Sequence, residues 1–444
     1  MAAAGSNERA TEKAATEAAE RCAEGLRLAG GQSADLVLAF VSPHHAASIG
    51  LVGKAIARRM QARCIIGASA EAVINGFVEM EGAPGISLLA ASLPGVSVRA
   101  FRSDDLPFGV GHAADVDQEE EEDLAALGQA SGIGPGHRAT IMFADPFSAD
   151  MDTLLPAFAR ARTLCSAEGA GGGPDEPTCV GRRGPIMGGM ASAAQRAGGN
   201  TLLVNDRVVR SGLVGVSLAG AVRCDAIVSQ GCRPFGPNMV VTSARGNVIG
   251  TLSGRPALRV VHEAIEALGE KERQLLSRGL MIGRVVNEYK DRFGPGDYLI
   301  RAVTGVSKDT QAIAVADTFR VGQTVRLHLR DADTAERDLA MLMDAQSLHG
   351  RPAGVMLVTC NMRGTRLFAA PNHDAIAVQR AFLDPAASGL PGESKAKLGM
   401  PIGPRLGVPL AGFFAAAEIG PVGDGLFVHG QTACVLAFRP AVGG

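Results

Sequence analysis

Apolar and polar positions along this chain switch between two periods, and the order of the switches repeats. Residues 36–41 are an unbroken apolar run, the pattern of a strand covered on both faces. Residues 48–62 carry Ile49, Val52, Ile56 and Met60 at helical spacing, which predicts an amphipathic helix. A short strand at 64–66 leads into Gly67-Ala68-Ser69-Ala70, a small-residue stretch that reads as a turn. Strands at 86–92 and 96–101 are expected to pair through Leu93-Pro94-Gly95.

The same order returns twice. A strand at 139–144 precedes a helix at 152–166, whose Leu154, Leu155, Phe158 and Ala161 share a face. A glycine turn at 188–192 and paired strands at 202–209 and 212–222 follow, with another strand at 224–228. A looser third pass starts at 354–359, turns at Gly412 and ends in strands at 426–430 and 432–438. Recurrence of strand, helix, glycine turn and hairpin predicts an α/β protein of duplicated α+β sandwich modules in two domains. The Ala-rich residues 8–29 predict a helix stopped by Gly30-Gly31. The expected divisions are a helical extension at 1–32, a first domain at 33–254 and a second at 255–444. Pro256 is placed to open a junction helix over 257–278, with Leu258, Val261, Ile265 and Leu268 on one face. Segments 108–135, 168–184 and 386–405 read as Gly- and Pro-rich connections, the first carrying the acidic run Glu119-Glu120-Glu121-Glu122-Asp123 as a solvated loop.

Composition narrows the classes. A length of 444 residues suits two to four domains. With 43 basic and 45 acidic side chains the net charge is −2, which excludes a general nucleic-acid binder, since that function concentrates Lys and Arg. No apolar run approaches the ~20 residues of a membrane-spanning helix, so no transmembrane segment is expected. The start lacks the apolar region of a secretory signal. Eight cysteines are scattered without a C-x-x-C pair and no N-x-[ST] acceptor occurs, so the thiols are expected to be reduced and the protein intracellular. The compartment stays open between cytoplasm and chloroplast.

Cofactor patterns are missing. Gly132-Ile133-Gly134-Pro135-Gly136 is not a dinucleotide fingerprint, and neither a P-loop nor a zinc spacing occurs, so no cofactor and no metal is expected. Polar residues inside apolar segments concentrate in the third pass: Cys360-Asn361-Met362-Arg363-Gly364 at a strand end, Glu418 after a glycine turn, and His429 before Gly430. Asn361, Arg363, Glu418 and His429 are expected to converge with Cys360 on one ligand pocket at the end of the 355–359 strand. Two alternatives stand beside it. One is structural: a buried Cys, a His bonded to backbone, and a Glu paired with Arg363. The other is a thiolate nucleophile assembled from the Cys, the His and a carboxylate, which would make the protein a thiol-dependent enzyme. Arg233, in Gly231-Cys232-Arg233-Pro234, sits on a rigid turn suited either to holding a ligand carboxylate or to packing at the junction.

These residues resemble the FIST family. The first-half likeness runs through Asp35-Leu36-Val37-Leu38, Ile66-Gly67-Ala68-Ser69-Ala70-Glu71, Glu79, and Gln230-Gly231-Cys232-Arg233-Pro234. The longest motifs are Cys360-Asn361-Met362-Arg363-Gly364 and Pro409-Leu410-Ala411-Gly412-Phe413-Phe414-Ala415-Ala416-Ala417-Glu418-Ile419-Gly420-Pro421, with His429-Gly430 closing. Ala417 stands where the family often has Gly. The resemblance implies an N-terminal and a C-terminal FIST domain. It also implies a non-enzymatic sensory module of signal transduction that binds a small ligand, amino acids being the candidates. A scaffold subunit docking protein partners is the competing class. In a eukaryotic relative an F-box precedes the pair; the thirty residues ahead of residue 33 are too few for that bundle.

Overall fold

The computed structural model describes residues 1–107, 121–168, 184–383 and 407–441. The 168–184 and 386–405 connections fall almost wholly outside them, as does the first part of 108–135. The acidic run is described only from Glu121, which opens a helix, Glu121–Ser131.

Three copies of one unit are arranged around a common core. The first unit lays down an edge strand Ala2–Ser6, a helix Thr11–Leu28, a central strand Leu36–Val41, a crossover helix Ile49–Met60 and a parallel strand Ile65–Ser69. A short hairpin, Val73–Asn75 and Val78–Met80, and an antiparallel strand, Ile86–Ala91, complete it. The second unit repeats this order from Val96–Arg102 to Leu213–Gly220. The third runs from Val222–Gln230 to Thr432–Pro440.

The hairpins are exchanged in a ring. The first unit's hairpin pairs with Leu410–Ala415 of the third sheet. The second unit's, Leu202–Val204 and Arg207–Val209, pairs with Ile65–Ser69 of the first sheet. The third unit's, Glu418–Val422 and Gly425–His429, pairs with Ile186–Met190 of the second sheet. Each six-stranded sheet therefore holds four strands of its own unit and two of another. Two helices cover each outer face. On the first sheet, Ala14, Ala15, Ala18, Ala19 and Cys22 of the N-terminal helix pack with Ile49, Val52 and Ile56. The Ala-rich stretch expected to lead the chain is thus part of the first layer, its small side chains letting the helix lie close. Inner faces meet on the axis, where Phe40, Phe143 and Phe413 contact one another at ring distances of 4.9–5.5 Å.

This arrangement corrects two local readings. The glycine segments near 67, 188 and 412 are parallel strands rather than turns. Gly67, Gly188 and Gly412 lie directly opposite Ala39, Met142 and Leu357. A Cβ at each would stand 2.3, 1.8 and 1.8 Å from the opposing carbonyl oxygen, so only glycine lets these strands approach. The strands ending at residue 91 and starting at residue 96 do not pair either. Ile86–Ala91 belongs to the first sheet and Val96–Arg102 to the second. The same step between sheets separates Leu213–Gly220 from Val222–Gln230 and Gly425–His429 from Thr432–Pro440. Left-handed residues at the corners, Gly95, Gly220 and Gln431, turn the chain out of one sheet and into the next.

Within the third unit, after Val222–Gln230, the chain leaves the core to build an antiparallel barrel. Its order is Cys232–Arg245, Thr324–Arg330, Leu280–Val285, Tyr298–Ser307, Ala312–Val315 and Val248–Leu252, and the last strand pairs again with the first. Phe235, Val241, Ile249, Leu252, Ile282, Ile313 and Leu327 fill it. The junction helix expected over 257–278 is broken: Ala257–Glu266 ends, Gly269 caps a new short helix at Glu270–Leu275, and a 3-10 turn Leu276–Arg278 follows. Leu258 and Val261 bury against the barrel, whereas the second helix buries nothing, so apolar periodicity lapses where the break falls.

Candidate functional site

A cavity of about 640 Å³ lies between the barrel and the core. It opens beyond the carboxyl ends of parallel strands from two units, where α/β sheets place their ligands. The core side is lined by Asp150 and Asp152 after strand His137–Ala144, Met190, Cys360 and Met362, Ala416 and Ala417, and His429 to Gln431. The barrel supplies Met281, Arg301, Ala302, Val315, Asp317 and Thr318.

Arg301 ties the two sides together. Its Nε donates to Asp317 at 2.9 Å, Nη1 to the Ile300 carbonyl, and Nη2 across the gap to the Val428 carbonyl at 3.0 Å. Arg284 adds a second cation 3.5 Å from Asp317. Asp150 caps the helix Met151–Glu168 by accepting from the Thr153 amide and hydroxyl. Asp152, in the first turn of that helix, makes no hydrogen bond or ion pair with the described residues, although the Arg301 and Arg284 charges act on it. Burial raises its pKa, and the carboxylates of Asp317 and Asp150 raise it further.

The six residues singled out in the sequence divide between the cavity and its surroundings. Cys360 and His429 line it. His429 is 2% exposed, and its Nε2 faces the Gly420 carbonyl at 3.0 Å. A carbonyl only accepts, so Nε2 carries the proton and Nδ1 is left as an acceptor that takes no hydrogen bond from the described residues. Burial holds the imidazole neutral, with a pKa of about 4. Arg363 is fully buried behind this wall in a two-pronged ion pair with Asp374, at 2.7 and 2.8 Å, over the Phe368 ring. Burial would raise the Asp374 carboxyl, but the guanidinium outweighs it and holds that group well below the usual range. Asp374 also accepts from Thr359, so the pair locks helix His373–Arg380 to the third sheet.

Glu418 is buried too, yet it does not pair with Arg363. One oxygen accepts from the Thr432 amide at 3.2 Å and hydroxyl at 2.5 Å; the other has no hydrogen-bond partner. Burial pushes its carboxyl up to about 8. Asn361 turns to the other side of the strand, where its amide reaches Glu71, itself paired with Arg366. Arg233 lies away from the cavity and bridges Glu272 and Asp331 at 3.3 and 3.4 Å, the packing alternative. The sequence-level convergence is therefore corrected. Cys360 and His429 share the cavity, Arg363 and Glu418 stiffen the wall behind it, and Asn361 and Arg233 serve other contacts.

Among the described residues no thiol nucleophile is assembled around Cys360. Cys360 has no hydrogen bond to His429, and burial pushes its thiol well above the usual range. The other described free cysteines, Cys22, Cys64, Cys224, Cys232 and Cys434, are buried as well. Among the described residues no cluster of His, Cys, Asp and Glu could hold a metal ion. No described helix is long and apolar enough to cross a membrane.

Asp150, Asp152, Arg301 and Asp317 escaped sequence reading. Asp150 and Asp152 follow a buried strand end just as Cys360 does, and that position was the available signal. Arg301 sits in a barrel strand and Asp317 in the bend just after another, and strand alternation says nothing about which polar side faces the core.

Three ring-arranged α/β units with an inserted barrel, and a cavity between them, define the class. The chain matches the FIST N domain over residues 35–255 and the FIST C domain over 257–421, and it belongs to the FIST family, whose domains are sensory modules of signal transduction. Uncharacterized proteins from two strains of Mycobacterium tuberculosis are 33% identical to it over 428 residues, covering 96% of this chain and 96% of theirs. One from Mycobacterium bovis is 32% identical over 428 residues, covering 96% and 95%. The boundary between the two family domains falls inside the barrel. They share the second and third sheets through the exchanged hairpins.

Proposed function

We propose that this protein is a non-enzymatic sensory module whose small ligand, of amino-acid size, occupies the cavity between barrel and core. The cavity itself carries the reading. Its volume of about 640 Å³ lies inside the few hundred to a thousand Å³ usual for small-molecule sites. Its walls come from two core units and from a barrel whose chain leaves and rejoins the core at Gly231 and Asp331, which bond to each other at 3.3 Å. A ligand touching both walls changes how firmly the barrel seats on the core, and that is the signal a partner would read.

The test is a thermal-shift screen of the purified chain against the amino acids and their small derivatives. A ligand at about a hundred times its dissociation constant stabilises the folded state by about 2.7 kcal/mol. Ala416→Phe adds bulk to the cavity wall at an exposed position and should abolish the shift while leaving the unliganded midpoint unchanged. A shift that survives in Ala416→Phe places the ligand elsewhere and defeats the reading.

A further inference from the structure

We infer that the cavity selects a cationic, donor-rich ligand, an alkylammonium or guanidinium compound, with its charged group against Asp152 and a donor directed to His429. The inference rests on the proposed ligand site and specifies what fills it.

Two independent observations support it. The first is the state of the charged groups. Asp150, Asp152 and Asp317 line the cavity against a single lining guanidinium, Arg301. Arg301 is already engaged by Asp317 and by two backbone carbonyls, and Asp150 by the hydrogen bonds of its helix cap, so Asp152 is the lining carboxylate left without a hydrogen bond or ion pair among the described residues. A helix start ordinarily favours an anion, but here Asp150 before the helix and Asp152 in its first turn already supply two carboxylates. An incoming carboxylate or phosphate would meet like charge from three lining carboxylates, and the lining guanidinium, Arg301, is already engaged.

The second observation is the set of unsatisfied neutral groups. His429 is 2% exposed, lines the cavity, and has an Nδ1 acceptor that takes no hydrogen bond from the described residues. Gln431, held in a left-handed conformation beside it, has an amide oxygen that is likewise unpartnered. A buried acceptor lacking a donor, as the Gln431 oxygen is, is costly, and a ligand rich in N–H groups relieves that cost while also meeting the His429 Nδ1. Charge and hydrogen bonding thus select the same chemistry. Burial first, and then the carboxylates of Asp317 and Asp150, raise Asp152's pKa, and the same cation relieves the carboxylate part.

The experiment is isothermal titration of the full chain with agmatine, putrescine and L-arginine, and in parallel with succinate and L-glutamate. Expected is binding of at least one cation, weakened tenfold or more in Asp152→Asn and abolished in Ala416→Phe. Asp152 is exposed at the cavity mouth, so its substitution leaves folding intact. If succinate or glutamate binds instead, with Asp152→Asn neutral and Ala416→Phe abolishing it, the cation preference is overturned while the site stands. Cation binding indifferent to Ala416→Phe overturns the site itself. Absence of binding by every probe at millimolar concentration overturns both.

Discussion

Replacing Arg363 by Met tests whether the wall behind the cavity is held by a buried ion pair. Methionine keeps much of the side-chain volume over Phe368 but removes the cation, leaving the Asp374 carboxylate in a fully enclosed site. Breaking a buried pair from one side costs about 3–5 kcal/mol, because the surviving charge is uncompensated. Asp374 retains the Thr359 hydroxyl at 2.6 Å and a contact from His373 at 3.0 Å, which puts the expected loss near the low end, about 3 kcal/mol. The double variant Arg363→Met with Asp374→Leu removes both charges and should recover most of that loss.

The pH dependence has a definite sign. In the native protein the Asp374 pKa is depressed, so its contribution is present above the unfolded value of about 4 and lost as pH falls through the lower folded value. Without Arg363 burial dominates and the folded pKa rises above the unfolded one. The deficit of the variant is then largest near neutral pH and shrinks towards pH 4. Urea unfolding at pH 5 and pH 7 reads both effects as shifts of the midpoint at constant slope. A loss below about 1 kcal/mol, or a double variant as unstable as the sum of its singles, would show that the pair does not hold this wall.

Other consequences follow from the same structure. Gly412→Ala should cost more than about 3 kcal/mol or prevent folding, since its Cβ would stand 1.8 Å from the Leu357 carbonyl, while Gly134→Ala, with open space around it, should be neutral; thermal midpoints of the two variants decide it. Glu418, raised to about 8 by burial, contributes stability that is full below its unfolded pKa near 4.3 and lost as pH rises through 8. Glu418→Gln should flatten that part of the profile and be more stable than the native chain at pH 9, and superposable stability profiles would contradict this. Phe413→Ala removes the ring that contacts both Phe40 and Phe143 and should cost about 3–5 kcal/mol, measurable by urea denaturation.

Sequence alone determined the central strands, the first two crossover helices and the fact that such elements recur. The runs at 36–41, 139–144 and 354–359 became the three central strands, because continuous apolar sequence is a local property that any buried parallel strand must have. The helical spacing of Ile49, Val52, Ile56 and Met60 likewise set which face the crossover helix buries. The motifs around Cys360 and Gly412 were sufficient to indicate the family. Partnership between strands was settled only in three dimensions. Nothing local distinguishes a hairpin from a chain that turns out of one sheet into the next. The step at Leu93-Pro94-Gly95 therefore read as an ordinary turn, the strands at 202–209 and 212–222 read as a pair although they lie in different sheets, and the cyclic exchange of hairpins was invisible. The glycines misread as turns illustrate the same limit, because the need for glycine came from a carbonyl on a strand some thirty to fifty-five residues away in sequence. The site divided in the same way. Polar residues in apolar segments marked Cys360, Arg363, Glu418 and His429 as buried, since burying such groups requires partners and leaves a compositional trace. Which partners they take, Asp374 for Arg363 and Thr432 for Glu418, and which unpaired acceptors face the cavity beside Arg301 and Asp317, depended on how the barrel docks against the core. That docking is a tertiary fact, fixed by contacts between segments whose sequences carry no record of one another.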